Sequence, residues 1–133
     1  LPPEWRDATI AYLLGRSLLA MRAEDVVQCA QLAARYNNEA TGRPVELVSV
    51  GRVGPAALHA AVLGPGLFAA MTFQKCVVSW SNVVDTPLSK NQYANLIHGV
   101  LKTYDLPDLL AVLPPEKVRF LEPLNGAEEP FVE

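Results

Sequence analysis

The chain has 133 residues, 50% of them hydrophobic and 19% charged, which fits one globular domain able to bury roughly two thirds of the surface exposed when unfolded. A net charge of -3 with scattered Lys and Arg offers no basic face for phosphates, and no apolar run reaches the ~20 residues that a bilayer span needs, so neither nucleic acid nor a membrane is an expected partner. Cys29 and Cys76 lack the paired spacing of a zinc site or a redox dithiol, and their apolar surroundings predict that both are core residues. The chain opens at Leu1-Pro2-Pro3 with no Met and no leader pattern, from which the natural N-terminus is expected to be missing.

Apolar and small residues at helical spacing predict a helix over 7–19 and a second over 22–36, with Val26, Val27, Ala30, Ala33 and Ala34 sharing a face and a break within 15–21. Residues 37–44 read as a loop through Asn37, Asn38, Gly42 and Pro44, and a strand over 45–50 follows directly. Pro55 suits the first turn of a helix, and residues 56–63 are apolar on almost every side, so that helix must be covered, as by a sheet. Gly64-Pro65-Gly66 stops it. A β-branched run with Phe73, Cys76, Val77 and Val78 predicts a strand over 71–80, and a helix is expected over 91–101. Asp105 is placed to cap a short helix starting near Pro107, and residues 117–124 form a third strand candidate. This order predicts an α/β fold with a mostly parallel sheet and flanking helices; strands covered on both faces would account for the shortage of alternation.

The segment from Val45 to Ala61 has the frame of a nucleophile elbow: a buried strand, a tight glycine turn and a close-packed helix. Such elbows follow Gly-x-Ser-x-Gly, with the nucleophile on a strained turn. Three registers place Gly51, Arg52 or Val53 at the apex, and none supplies Ser, Cys, Thr or Asp. The register with Val53 at the apex is preferred, because it keeps Gly51 before the apex and leaves the Gly54 N–H available. Neither a valine nor a guanidinium can be activated to attack a carbonyl. Ser49, the only hydroxyl of the strand and turn, is expected to bond backbone within the strand, with a shifted turn exposing it as the competing reading. His59 is expected to point into the packing or to bond a neighbouring carbonyl.

Together with Tyr12-Leu13-Leu14-Gly15-Arg16-Ser17 leading to Asp25, and with Gly99-Val100-Leu101-Lys102-Thr103-Tyr104-Asp105-Leu106-Pro107-Asp108, this elbow resembles the C-terminal part of α/β hydrolases of the acetyl xylan esterase-like group. The resemblance covers most of residues 1–133 and implies a single hydrolase-like domain, incomplete at both ends. It implies carboxylic ester hydrolysis by a Ser, acid and His triad in that chain order. Carried onto this sequence, it puts Val53 at the nucleophile and Asn125-Gly126 where the acid belongs, and Glu133 ends the chain before a catalytic His. Glu128 or Glu129 could stand in as the acid, with no His to orient. The expectation is therefore a catalytically silent domain with a structural or association role; the alternative is a fragment or subunit of an active carbohydrate esterase whose triad is completed elsewhere.

Gly51-x-x-Gly54 lacks the first glycine pair of a dinucleotide turn, and no cofactor is expected. Asp85, His98, Asp105 and Asp108 match no ligand-pair spacing, Asp105 and Asp108 being better explained by helix capping, so no metal is expected. Trp5, Tyr12, Trp80, Tyr93 and Tyr104 could line a carbohydrate groove, although each also has a packing role. An incomplete sheet would leave an open edge and an uncovered face, which predicts a homo-oligomer or a missing segment of a parent protein, with a carbohydrate ester as the ligand the resemblance implies. A secreted or periplasmic location is compatible with that resemblance; the sequence itself indicates no compartment.

Overall fold

The structure is a computed structural model that describes residues 3–36 and 42–132; the 37–41 part of the expected loop lies outside the described residues. Two helices come first, α1 (Pro3–Leu13) and α2 (Leu18–Ala34). They start and stop earlier than the spacing predicts. Pro3 supplies a residue whose missing N–H is no loss in a first helical turn. Gly15, at φ 73°, breaks the chain, and Ser17 accepts a 3.0 Å bond from the Ala20 N–H to open α2. Leu19, Ala23 and Ala30 form the buried stripe of α2. Cys29 falls one position off that stripe and is exposed, as is Ala33, so the expectation of a core Cys29 is corrected while Cys76 is buried.

Strand β1 (Val45–Val50) leads through a 3-10 turn, Gly51–Val53, into α3 (Gly54–Leu63), and strand β2 (Phe68–Gln74) follows. β2 ends well before the expected 71–80. Lys75 turns left-handed at φ 54°, and Ser79 accepts from the Asn82 N–H to cap a further helix, α4 (Trp80–Asp85). The helix expected over 91–101 is replaced by two 3-10 turns, Tyr93–Asn95 and Val100–Lys102, separated by Gly99 at φ 70°. A left-handed residue cannot continue an α-helix, and glycine takes that backbone without steric cost. The short helix α5 (Leu106–Ala111) begins where the Asp105 cap predicts, and strand β3 (Val118–Leu121) lies inside the expected 117–124.

All three strands are parallel, in the order β1-β2-β3. One sheet face, with Leu47, Met71, Phe73, Val118 and Phe120, packs on α3 to make the core. From Gly54 to Ala61 every residue of α3 is buried, because β1 and β2 lie on one side of the helix and α2 and α5 on the others. The opposite sheet face presents Glu46, Val48 and Val50 of β1, Ala70, Thr72 and Gln74 of β2, and Arg119 and Leu121 of β3. Its apolar members are open: Val48 is 65% exposed, Val50 56% and Leu121 44%. Among the described residues no helix is long and apolar enough to cross a membrane.

Candidate functional site

In a parallel sheet the loops that follow the strands meet beyond their carboxyl ends. A cleft of about 550 Å³ occupies that position here, bounded by Val50, Gly51, Arg52 and Val53 after β1, Lys75 and Val77 after β2, and Leu124, Asn125 and Glu128 after β3. Glu4 of α1 and the buried amides Gln92 and Asn95 complete its wall. The elbow-like turn and the expected acid loop, far apart in sequence, thus meet at one place.

The geometry of the turn departs from that of a nucleophile elbow. Its left-handed residue is Gly51, at φ 73°, whereas Val53 has φ -81° and ψ -6° and already follows the helical path. The strained position therefore carries no side chain. The Gly54 N–H, expected to be available, donates to the Gly51 carbonyl. Gly54 nonetheless leaves no room for a side chain: a Cβ there would overlap Cys76 Sγ and stand 2.7 Å from Cys76 Cβ. Burial pushes the Cys76 thiol up to about 12, which keeps it a neutral packing group.

Arg52 leans away from the turn into two carboxylates, with Glu128 at 3.2 Å and Glu4 at 3.7 Å. Its carbonyl accepts a 2.8 Å bond from the Asn95 side-chain amide, and the Asn95 carbonyl in turn accepts from Trp80 Nε1 at 3.2 Å. Asn95 therefore ties the turn to α4. Sequence reasoning missed it, having placed it inside a helix; the signal was an Asn beside His98-Gly99 in an otherwise apolar run. Among the described residues, Gln92 Oε1 and Asn95 Oδ1, both in the cleft wall, are buried without a hydrogen-bond partner.

The side-chain oxygen of Asn125 accepts from the N–H groups of Ala127 and Glu129, at 2.9 and 3.0 Å, closing its own loop instead of facing the turn. Glu128 accepts from Asn91 as well as from Arg52. Among the described residues the non-glycines with positive φ, Lys75, Asn91, Glu122 and Glu128, gather here: Lys75 and Glu128 line the cleft, Asn91 holds Glu128, and Glu122 pairs with Lys75 at 3.7 Å. Such backbone conformations persist where the surrounding structure over-determines them.

Ser49 is buried in β1 and its hydroxyl has no partner among the described residues, where the expected backbone bond is not formed. His59 lies inside α3 at the core. Its Nδ1 is 2.6 Å from the Pro55 carbonyl, which can only accept, so Nδ1 carries the proton and Nε2 accepts from the Tyr104 hydroxyl at 2.9 Å. Burial lowers its pKa more than the carbonyl bond raises it, so the ring stays neutral at pH 7. Asp105 resists burial's upward pull through hydrogen bonds from the Ser81 hydroxyl and from the N–H groups of Trp80, Leu106 and Ser81, which together hold its carboxyl below the usual range. Asp108 accepts from the Asp105 N–H at 2.8 Å, so both aspartates are spent on capping. His98 sits against the Tyr12 ring, 5.8 Å between centroids, and among the described residues no three His, Cys, Asp or Glu converge as a metal site would require.

The five aromatic residues do not line one groove. Tyr12, Trp80 and Tyr93 border an apolar groove of about 640 Å³ between α1 and residues 93–101, Trp5 stacks on Tyr93, and Tyr104 belongs to His59. What the geometry defines is an α/β domain with a charged cleft at the carboxyl ends of its parallel strands. No family model matches the chain, and no curated protein or solved structure matches it either.

Proposed function

We propose that this chain is a hydrolase-like domain without catalytic activity, used for structure or association, as its resemblance to the C-terminal part of acetyl xylan esterase-like proteins implies. The observation that carries the reading is the Gly51–Val53 turn, whose left-handed residue has no side chain and whose other members are a valine and an ion-paired arginine. Acyl transfer needs a nucleophile that a base can activate beside a donor for the developing oxyanion. Here the Gly54 N–H is engaged, both ring nitrogens of His59 are bonded inside the core, and Asn125 closes its own loop. A carbohydrate ester, the ligand that the resemblance implies, would be held in this cleft without being cleaved.

The test is acetyl release from p-nitrophenyl acetate and acetylated xylooligosaccharides, with a fluorophosphonate probe reporting any reactive hydroxyl. Background rates and no covalent label are expected. Acetyl release that disappears on Ser49→Ala alone would overturn the proposal.

A further inference from the structure

The apolar groove between α1 and residues 93–101 shares no lining residue with the charged cleft. Its wall is aliphatic, made by Leu18 of α2, Val84 of α4, and Leu96, Ile97, Val100 and Leu101 of the 93–101 segment. Tyr12 and Tyr93 stand at its rim. Val84 is 71% exposed and Tyr12 57%, so the molecule leaves this concave apolar surface in water. Exposed apolar surface gathered in one groove marks a ligand or partner site, whereas apolar side chains exposed singly do not.

Size and charge indicate what fits the groove. Its volume of about 640 Å³ lies inside the ~300–1,000 Å³ range of small-molecule sites, and it would hold fewer than about two turns of a helix ~10 Å across. Neither Asp nor Glu is among the described residues that line it, and Arg16 is their one permanently charged side chain. The backbone of Arg16 is fixed by the turn after α1, where its N–H donates to the Ala11 carbonyl at 2.9 Å. One guanidinium nitrogen, Nη2, binds Glu24 at 2.6 Å, and the other guanidinium donors take no partner among the described residues. A planar guanidinium carries five N–H donors and can serve a second carboxylate, as Arg52 does between Glu4 and Glu128.

We propose that this groove binds a medium-chain fatty acid, its alkyl chain lying along the aliphatic wall and its carboxylate on the unoccupied edge of Arg16. The tail supplies most of the affinity, because each methylene taken from water adds to it, and the arginine selects the head group. Being separate from the charged cleft, the site goes beyond the association role above. Acetyl release, which would end that reading, leaves this one untouched.

Both tryptophans of the chain report on the groove, since Trp80 lines it and Trp5 stacks on Tyr93 at its rim. The test is a tryptophan fluorescence titration with octanoate, decanoate, decanol and decylammonium, each below its micelle concentration. Saturable one-site binding is expected, about threefold tighter per added methylene and about fivefold tighter for decanoate than for decanol, the scale of a half-exposed ion pair. Arg16→Glu should reverse the order of decanoate and decylammonium. Val84→Trp, which fills the groove from an exposed position, should abolish decanoate binding in calorimetry, with circular dichroism confirming that both variants fold. On the unmodified chain, absence of saturable binding, indifference to chain length, or decanol or decylammonium binding as tightly as decanoate overturns the proposal. So does a folded Arg16→Glu that still prefers decanoate, or a folded Val84→Trp that still binds it. Adsorption to phosphatidylcholine vesicles without binding of monomeric decanoate also overturns it, since the groove would then meet a lipid surface.

Discussion

At Gly54 the first turn of α3 comes against Cys76, just beyond β2, with no room for a methyl group between them. Gly54→Ala should therefore cost about 1–3 kcal/mol by overpacking, and Cys76→Ala in the same protein should recover part of that loss in urea denaturation. The two thiols should separate cleanly in the native state. Cys29 is exposed, whereas Cys76 is buried with its pKa pushed up to about 12, so a disulfide reagent should titrate one thiol at once and the second only on unfolding. His59 supplies a pH signature. Its folded pKa lies below the ordinary 6.5, so the unfolded chain binds the proton first; stability is fully present above pH 6.5 and is lost as pH falls below it. Thermal melts between about pH 7 and pH 5 should show this slope, and His59→Gln should flatten it.

Among the elements, α4 and α5 share one anion. Asp105 caps α5 and its carboxylate also receives the first two N–H groups of α4, from Trp80 and Ser81. Asp105→Ala should remove the cap of α5 together with the acceptor of the first two N–H groups of α4, whose Ser79 cap remains, and cost about 2 kcal/mol, toward the upper end of cap losses. Because the folded pKa is depressed below 3.8, this stabilisation is complete above that value and disappears as pH falls through the folded pKa, well apart from the His59 window. The Asp105 cap and the β1–turn–α3 frame were legible in sequence, because local chemistry determines them: an aspartate before Leu106-Pro107, and glycine and proline around a tight turn. Elements fixed by distant contacts were not. The strand expected through Trp80 stops before Lys75, whose left-handed backbone belongs with the Glu122 pairing, and the helix expected over 91–101 is interrupted by the extended Leu96 and the left-handed Gly99, with the Asn95 side chain bonded to the distant Arg52 carbonyl. In the site, the absence of a nucleophile could be read from the residues alone. The engagement of Gly54, the clamp of Glu4 and Glu128 on Arg52 and the orphaned Ser49 hydroxyl depend on what the fold brings near them.

Over the whole molecule, the two sheet faces should respond to mutation very differently. Phe73 is fully buried between β3 and α3, so Phe73→Ala should lower stability by about 3–5 kcal/mol, whereas Val48→Thr on the open face should stay within about 0.5 kcal/mol in the isolated chain. Chemical denaturation of the two variants checks the contrast. The same sheet also divides the chain in time. β1, α3 and β2 are consecutive in sequence and close one short crossover, while β3 pairs only after the chain has run from Gln74 through α4 and α5 to Val118. Closing the longer loop carries the greater entropic cost, and contacts of high sequence separation slow folding. Residues 45–74 are thus the expected nucleus, so that Leu58→Ala should slow refolding while Phe120→Ala mainly speeds unfolding in stopped-flow chevrons. A chain that steps its strands in one direction assembles like a zipper, and its last tooth, β3, is the first to open.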